Sequence, residues 1–408
     1  MRPYQKLVTR ALVAAMLIAA RATPAAPEPS GASSVPADNA ETLTRNGWDQ
    51  YYDTNYEVAV RDFQKVVEMR PDDPGALNHL LAALVFRELY RAGALNSTLY
   101  SGDSFVKNTR PVPIDAKTRE RIRQLVEQAL QLSGQKLQAA PNDVAALYAR
   151  GVTRGLWATY LGLVDKAWFA ALRSAIGARR DHQRVLELDP KYADAKTVVG
   201  VHNYVAGSLP WAVKAAISIV GLSGSRSKGL EYLREAAKDG KETSVDARVA
   251  LALFLRREQR YGEALEVVRT LTAAYPHNYL FALEEANLLK DWGKNQDALD
   301  AYRKLLDQAR KGTFFDPRLE FANFDLGEIL RGRGEYQQAA DAYSLAAHQP
   351  NAGPDIRQRS GVAAGEMYDL LEKRDQALKE YQAAISADGN TQLAELARKR
   401  LKSPYRNN

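Results

Sequence analysis

Residues 245–278 read VDARVALALFLRREQRYGEALEVVRTLTAAYPHN, and residues 279–312 read YLFALEEANLLKDWGKNQDALDAYRKLLDQARKG. The two stretches align without a gap at a period of 34. Small residues recur at the eighth place (Ala252, Ala286) and the twentieth (Ala264, Ala298), and leucine recurs at the eleventh (Leu255, Leu289) and the twenty-seventh (Leu271, Leu305). Such spacing describes two antiparallel helices per copy, brought close where small residue faces small residue, with leucine and aromatic knobs filling the surrounding gaps. Neither helix buries its apolar stripe alone. Stacked copies do, which is why such units come in arrays.

The template fits again from Glu320, through Leu326, Gly327, Leu330, Tyr336, Ala339 and Tyr343, and from Gln358, through Ala364, Gly365, Tyr368, Ala377, Tyr381 and Ala384. There the spacing stretches to 41 and then 38, to be absorbed by a longer turn or an extra helical turn. Four times an alanine is followed twelve residues later by proline: Ala59 to Pro71, Ala129 to Pro141, Ala178 to Pro190, and Ala264 to Pro276. Each proline falls where the second helix must stop, because it lacks the N–H that a further turn requires. This pattern resembles the tetratricopeptide repeat. The resemblance covers most of residues 41–402 and implies an all-α solenoid, a right-handed superhelix of about eight helix pairs.

Working outward, the first residues read MRPYQKLVTRALVAAMLIAARATPAAPEPS. The apolar run Ala11–Ala20 spans about 15 Å as a helix, half of a bilayer's hydrocarbon thickness. Preceded by basic residues and followed by Ala20-Arg21-Ala22, residues 1–22 read as a signal peptide and the protein as periplasmic or secreted. Residues 23–40, rich in Ala, Pro and Ser, read as a linker. An irregular array is then expected over 41–240, with inserts at 96–115 and 207–225, a regular array over 241–402, and a tail at 403–408.

Composition narrows the function. The 408 residues include no cysteine, which excludes disulfides, thiolate metal sites and a cysteine nucleophile. The formal charge is +7, but without the four basic residues of the first 26 the chain holds 52 basic against 49 acidic residues, interleaved nearly everywhere. No basic stripe suited to nucleic acid is present. The cluster Arg398, Lys399, Arg400 and Lys402 ends the last helical pattern, where cations suit the helix dipole.

The insert 96–115, NSTLYSGDSFVKNTRPVPID, is too polar and too rich in turn formers to read as helix. From Tyr204 to Leu222 only Lys214 is charged. With Leu209, Pro210, Gly221, Gly224, Arg226, Gly229 and Leu230, this second interruption resembles a segment of bacterial tetratricopeptide proteins and of relatives of the fungal inclusion-body-clearance protein. In that segment the acid before the arginine is replaced here by Ser225. A weaker likeness is to the periplasmic tetratricopeptide component of tripartite solute transporters. Three roles compete for the apolar helix: a buried element that plugs or bends the solenoid, a wall for a partner helix or for a small apolar ligand at Trp211, Val213 and Ile217, and contact with a membrane interface.

Catalytic and metal motifs are absent from the sequence. His79, His182, His202, His277 and His348 never pair at helical metal spacing, and Gly221–Gly229 lacks the lysine-hydroxyl pair of a phosphate loop. Glu57 with Asp62, and Glu284 with Glu285, read as solvated helix faces. No cofactor or metal is expected. The first helix of each copy carries a second face at places two, five, nine and twelve, which in tetratricopeptide arrays lines the inner groove. It gives Val249, Leu253 and Arg256, then Leu283, Asn287 and Lys290, then Phe324, Glu328 and Arg331, apolar at the near end and cationic at the far end. The expected function is a non-catalytic scaffold that grips another protein or peptide there. The alternative is a periplasmic transport accessory holding an apolar ligand near 204–222.

Overall fold

Pro71, Pro141, Pro190 and Pro276 each follow a helix whose capping residue has the same backbone conformation. Arg70, Ala140, Asp189 and Tyr275 have φ between −137° and −129° and ψ between 63° and 92°. A residue before proline is barred from the α region by the ring's Cδ, so the four helices stop at one place for one reason. Two residues after three of these prolines, Asp73, Asp143 and Asn278 cap the next helix, accepting from the backbone N–H of Gly75, Ala146 and Phe281.

The computed structural model describes residues 37–100, 111–209, 214 and 223–406. Seventeen α-helices and no strand occur among them, arranged as eight pairs and a closing helix, in agreement with the repeat count. The chain forms two compact units, up to Tyr275 and from Pro276. In the first, the pairs are α1 (Ala37–Tyr52) with α2 (Tyr56–Met69), α3 (Pro74–Arg91) with α4 (Ala116–Ala139), α5 (Val144–Thr159) with α6 (Trp168–Leu188), α7 (Ala193–Gly207) with α8 (Arg226–Asp239), and α9 (Ser244–Arg257) with α10 (Tyr261–Ala274). In the second they are α11 (Tyr279–Asp291) with α12 (Asn295–Arg310), α13 (Leu319–Gly332) with α14 (Tyr336–Ala347), and α15 (Pro354–Leu370) with α16 (Arg374–Ala387), closed by α17 (Gln392–Lys402).

The two stretched spacings have different causes. Before α13 the connection lengthens, with Gly312 at φ 74° and Asp316 at φ 44°, whereas α15 instead begins four residues ahead of Gln358. Second helices bury one stripe: α12 buries Ala298, Leu299, Tyr302 and Leu305, a spacing of three to four that matches one helical face. First helices are sandwiched between their neighbours and bury far more of their circumference. In α3 every residue but Arg87 and Arg91 is buried.

Within the insert 96–115, Ser97–Tyr100 form a 3-10 turn in which the Thr98 N–H bonds the Asn96 side chain. Asp62 and Glu284 depart from their reading as solvated. Both are buried, and Asp62 accepts from the Asn46 amide because its helix position turns toward α1 rather than outward. Ser225, standing where an acid was expected, caps α8 through the Lys228 N–H. Gly229 of α8 lies where a Cβ would come within 2.5 Å of the Tyr204 backbone nitrogen, so α7 and α8 cross with no room for a side chain.

Candidate functional site

In the first unit the face predicted to form a groove is filled by the chain itself. Leu253 and Arg256 are 5% and 3% exposed, and only Val249 is half-buried. The Arg256 guanidinium donates to Ser97 Oγ at 3.0 Å and Thr98 Oγ1 at 3.4 Å, and Arg257 donates to the Tyr100 carbonyl at 3.2 Å. The 3-10 turn therefore lies on α9, and the cation expected to meet a partner's carboxylate serves the chain's own hydroxyls. At the other end of α9, Tyr52 from α1 donates to Asp246 at 2.9 Å, and its ring packs 5.3 Å from that of Tyr275. Tyr204 stacks on Phe254 with ring centroids 3.9 Å apart and donates to Glu258 at 2.9 Å. Its hydroxyl is held well above the usual tyrosine range by burial and by the bond to that carboxylate.

In the second unit the same face is divided between interior and surface. Leu283 and Asn287 are 1% and 0% exposed, correcting their placement in an open groove, and Asn287 accepts from Tyr302 at 2.5 Å. The physical reason is the sandwiching of first helices: places five and nine of α11 turn into the neighbouring helices. Lys290, at place twelve, is ion-paired to Asp325 of α13. Further along, the face opens. Phe324 is half-buried beneath the Arg359 guanidinium, 4.6 Å from its ring, and packs 5.5 Å from the Tyr343 ring. Glu328 is exposed, and Arg331, half-buried, lies 3.8 Å from Glu366.

Sequence reasoning placed Tyr343 and Tyr381 in the repeat template but missed Tyr302 and the role of these tyrosines, at the twenty-fourth place, as buried donors. Tyr302, Tyr343 and Tyr381 donate to Asn287, Glu328 and Asp369, all on first helices. Their recurrence at equal positions in three copies was the available signal. Tyr343 and Tyr381 are pushed far above the usual tyrosine range, first by burial and then by their carboxylate partners, so they act as fixed donors. Residues 210–213 and 215–222 are not described, so Trp211, Val213 and Ile217 lie outside the described residues. Among the described residues, no three His, Asp or Glu side chains are grouped to hold a metal ion, and no helix is long and apolar enough to cross a membrane.

Residues 223–279 and 283–354 match the sequence profile of the family described as tetratricopeptide repeat. Over those residues the chain carries tetratricopeptide repeats. Among curated proteins none matches it in sequence. Similar solved repeat structures include the APC/C hetero-tetramer Cut9-Hcn1, with a TM-score of 0.48 and 13% identity over 90% of this chain and 57% of that one. The chain thus spans somewhat over half the length of that protein. Others are yeast Tom70, at 0.41 and 11% over 90% and 89% of the two chains, and Pseudomonas aeruginosa pilF, at 0.40 and 17% over 64% and 99%.

Proposed function

We propose that this protein is an exported, non-catalytic scaffold that binds another protein or peptide on the first-helix face of its second unit, around Phe324. Tetratricopeptide repeats expose a row of helices rather than a catalytic cavity, and the sequence carries no nucleophile, acid–base or metal motif. The observation that carries the reading is the arrangement of Phe324, Arg359, Glu328 and Arg331. An aromatic surface flanked by charges of both signs is left accessible on helices that otherwise bury most of their circumference. Aromatic and arginine side chains dominate interface energetics, and both are present here with their apolar faces already stacked. The corresponding face of the first unit is taken up by Ser97–Tyr100 and Tyr52. Placement outside the cytoplasm rests on the basic and apolar residues 1–22.

The test is affinity capture from a cell-envelope extract by the full chain and by its Phe324→Ala, Arg359→Glu variant. Loss of a central aromatic anchor and reversal of its charge should reduce recovery of partners about tenfold or more, with an unchanged circular dichroism spectrum. Equal recovery by both proteins would contradict the assignment.

A further inference from the structure

Beyond α17 the described residues Ser403–Arg406 stay against the second unit. Ser403 is extended, at φ −138° and ψ 120°, Pro404 is exposed, and the segment Ser403–Arg406 turns back along the first-helix face. Tyr405 is half-buried between exposed neighbours. Its backbone N–H donates to Asp369 Oδ2 at 2.8 Å, and its hydroxyl accepts from Arg331 at 3.4 Å. Its ring faces two guanidinium groups, 4.6 Å from Arg400 and 6.0 Å from Arg331. Both arginines are paired to Glu366, at 3.0 and 3.8 Å. Asp369, whose side chain is fully buried, also accepts from Arg374 and Tyr381, so the carboxylate that receives the Tyr405 amide is held from two other sides.

These are the elements of a site for an extended peptide. A fixed carboxylate takes a main-chain N–H, two guanidiniums take an aromatic ring, and the proline before the tyrosine removes a donor and fixes the incoming backbone. The geometry points to Ser403–Arg406 as a built-in ligand. The segment occupies in cis a site that takes an extended partner segment bearing an aromatic side chain, which binds by displacing Tyr405. This rests on the reading of the second unit's first-helix face as its partner surface and adds a regulation to it. The tether from Lys402 to Tyr405 is three residues, so the segment competes at an effective concentration of order millimolar. A partner meets only the fraction of molecules whose site is open, and its apparent affinity falls by that fraction.

The experiment is fluorescence anisotropy with a fluorescein-labelled peptide KSPYRNN, corresponding to residues 402–408, titrated with the full chain. It is repeated with the Tyr405→Ala variant and with Tyr405→Ala combined with Arg331→Ala. The variant lacking only the tyrosine should bind the peptide about tenfold more tightly than the full chain. The double variant should lose that gain, and a peptide with alanine in place of tyrosine should bind none of the three. All three proteins keep α17 and the Asp369 carboxylate, so their thermal transitions check that they are folded. Equal affinity of the full chain and Tyr405→Ala, or no binding by Tyr405→Ala, would overturn the inference. If either occurs while capture still depends on Phe324 and Arg359, the self-ligand is refuted and the partner face stands. If the peptide behaves as expected while capture ignores those residues, the converse holds.

Discussion

At the scale of single residues, two contacts decide what a substitution does. Gly229 admits no Cβ, since one would meet the Tyr204 nitrogen at 2.5 Å and the Gly200 carbonyl oxygen at 2.7 Å, both backbone atoms that cannot rotate away. Gly229→Ala should therefore destabilise the first unit by about 2 kcal/mol through forced separation of α7 and α8, read as a lower thermal midpoint. His202 gives a pH dependence. Burial, with a smaller contribution from the Arg179 charge, pushes its imidazole from the ordinary 6.5 down to about 4. The folded state thus holds it neutral while the unfolded chain takes up a proton below 6.5. Its contribution is complete above pH 6.5 and is lost as the pH falls toward 4, by about 3 kcal/mol in all. His182, buried and lowered in the same direction, adds to the same trend. Chemical denaturation at pH 7 and pH 4.5 should show the His202→Asn variant losing less stability on acidification than the parent. Parallel loss in both would contradict this. Arg256 shows where residue type alone misleads: a cation at a groove position turned out to serve Ser97 and Thr98.

At the scale of elements, the repeat was legible because its constraints are local. The alanine-to-proline spacing places the end of a second helix, and all four instances end as the pre-proline restriction requires. The turn inside each pair obeys an equally local rule. The fifteenth place is left-handed in Gln259, Gly293, Gly334 and Glu372, at φ 59°, 78°, 75° and 60°. Glycine adopts this region without steric cost, and Glu372 does not. Glu372→Gly should stabilise the second unit by about 0.5 kcal/mol, the relief of backbone strain slightly outweighing the added freedom of the unfolded chain, measured as a higher denaturation midpoint. A lower midpoint would count against the strain. The inner face was less legible, because burial at places five and nine depends on how neighbouring copies press together, which no single copy encodes. Leu283 and Asn287 look like surface positions in one repeat and become interior in a stack. Residues 97–100 carry turn formers but nothing that announces α9 as their docking surface. Tyr405 lies outside the repeat pattern altogether.

At the scale of the whole molecule, the two units use one architecture differently. In the first, α1 meets α9 through Tyr52 and Asp246, 194 residues apart in sequence, so the first-helix face is closed by the unit's own aromatic residues and turn. In the second, α13 and α15 keep an accessible aromatic and charged surface, and α17 buries only Ala394 and Ala397 and presents a polar outer side. Recognition is therefore proposed for the second unit. Its most direct test is photo-crosslinking of the full chain with p-benzoylphenylalanine placed either at Phe324 or at Lys304, an exposed position on the second helix α12. Discrete partner adducts from position 324 and none from position 304 are the predicted result. Adducts absent from 324, or equal from both positions, would contradict the account.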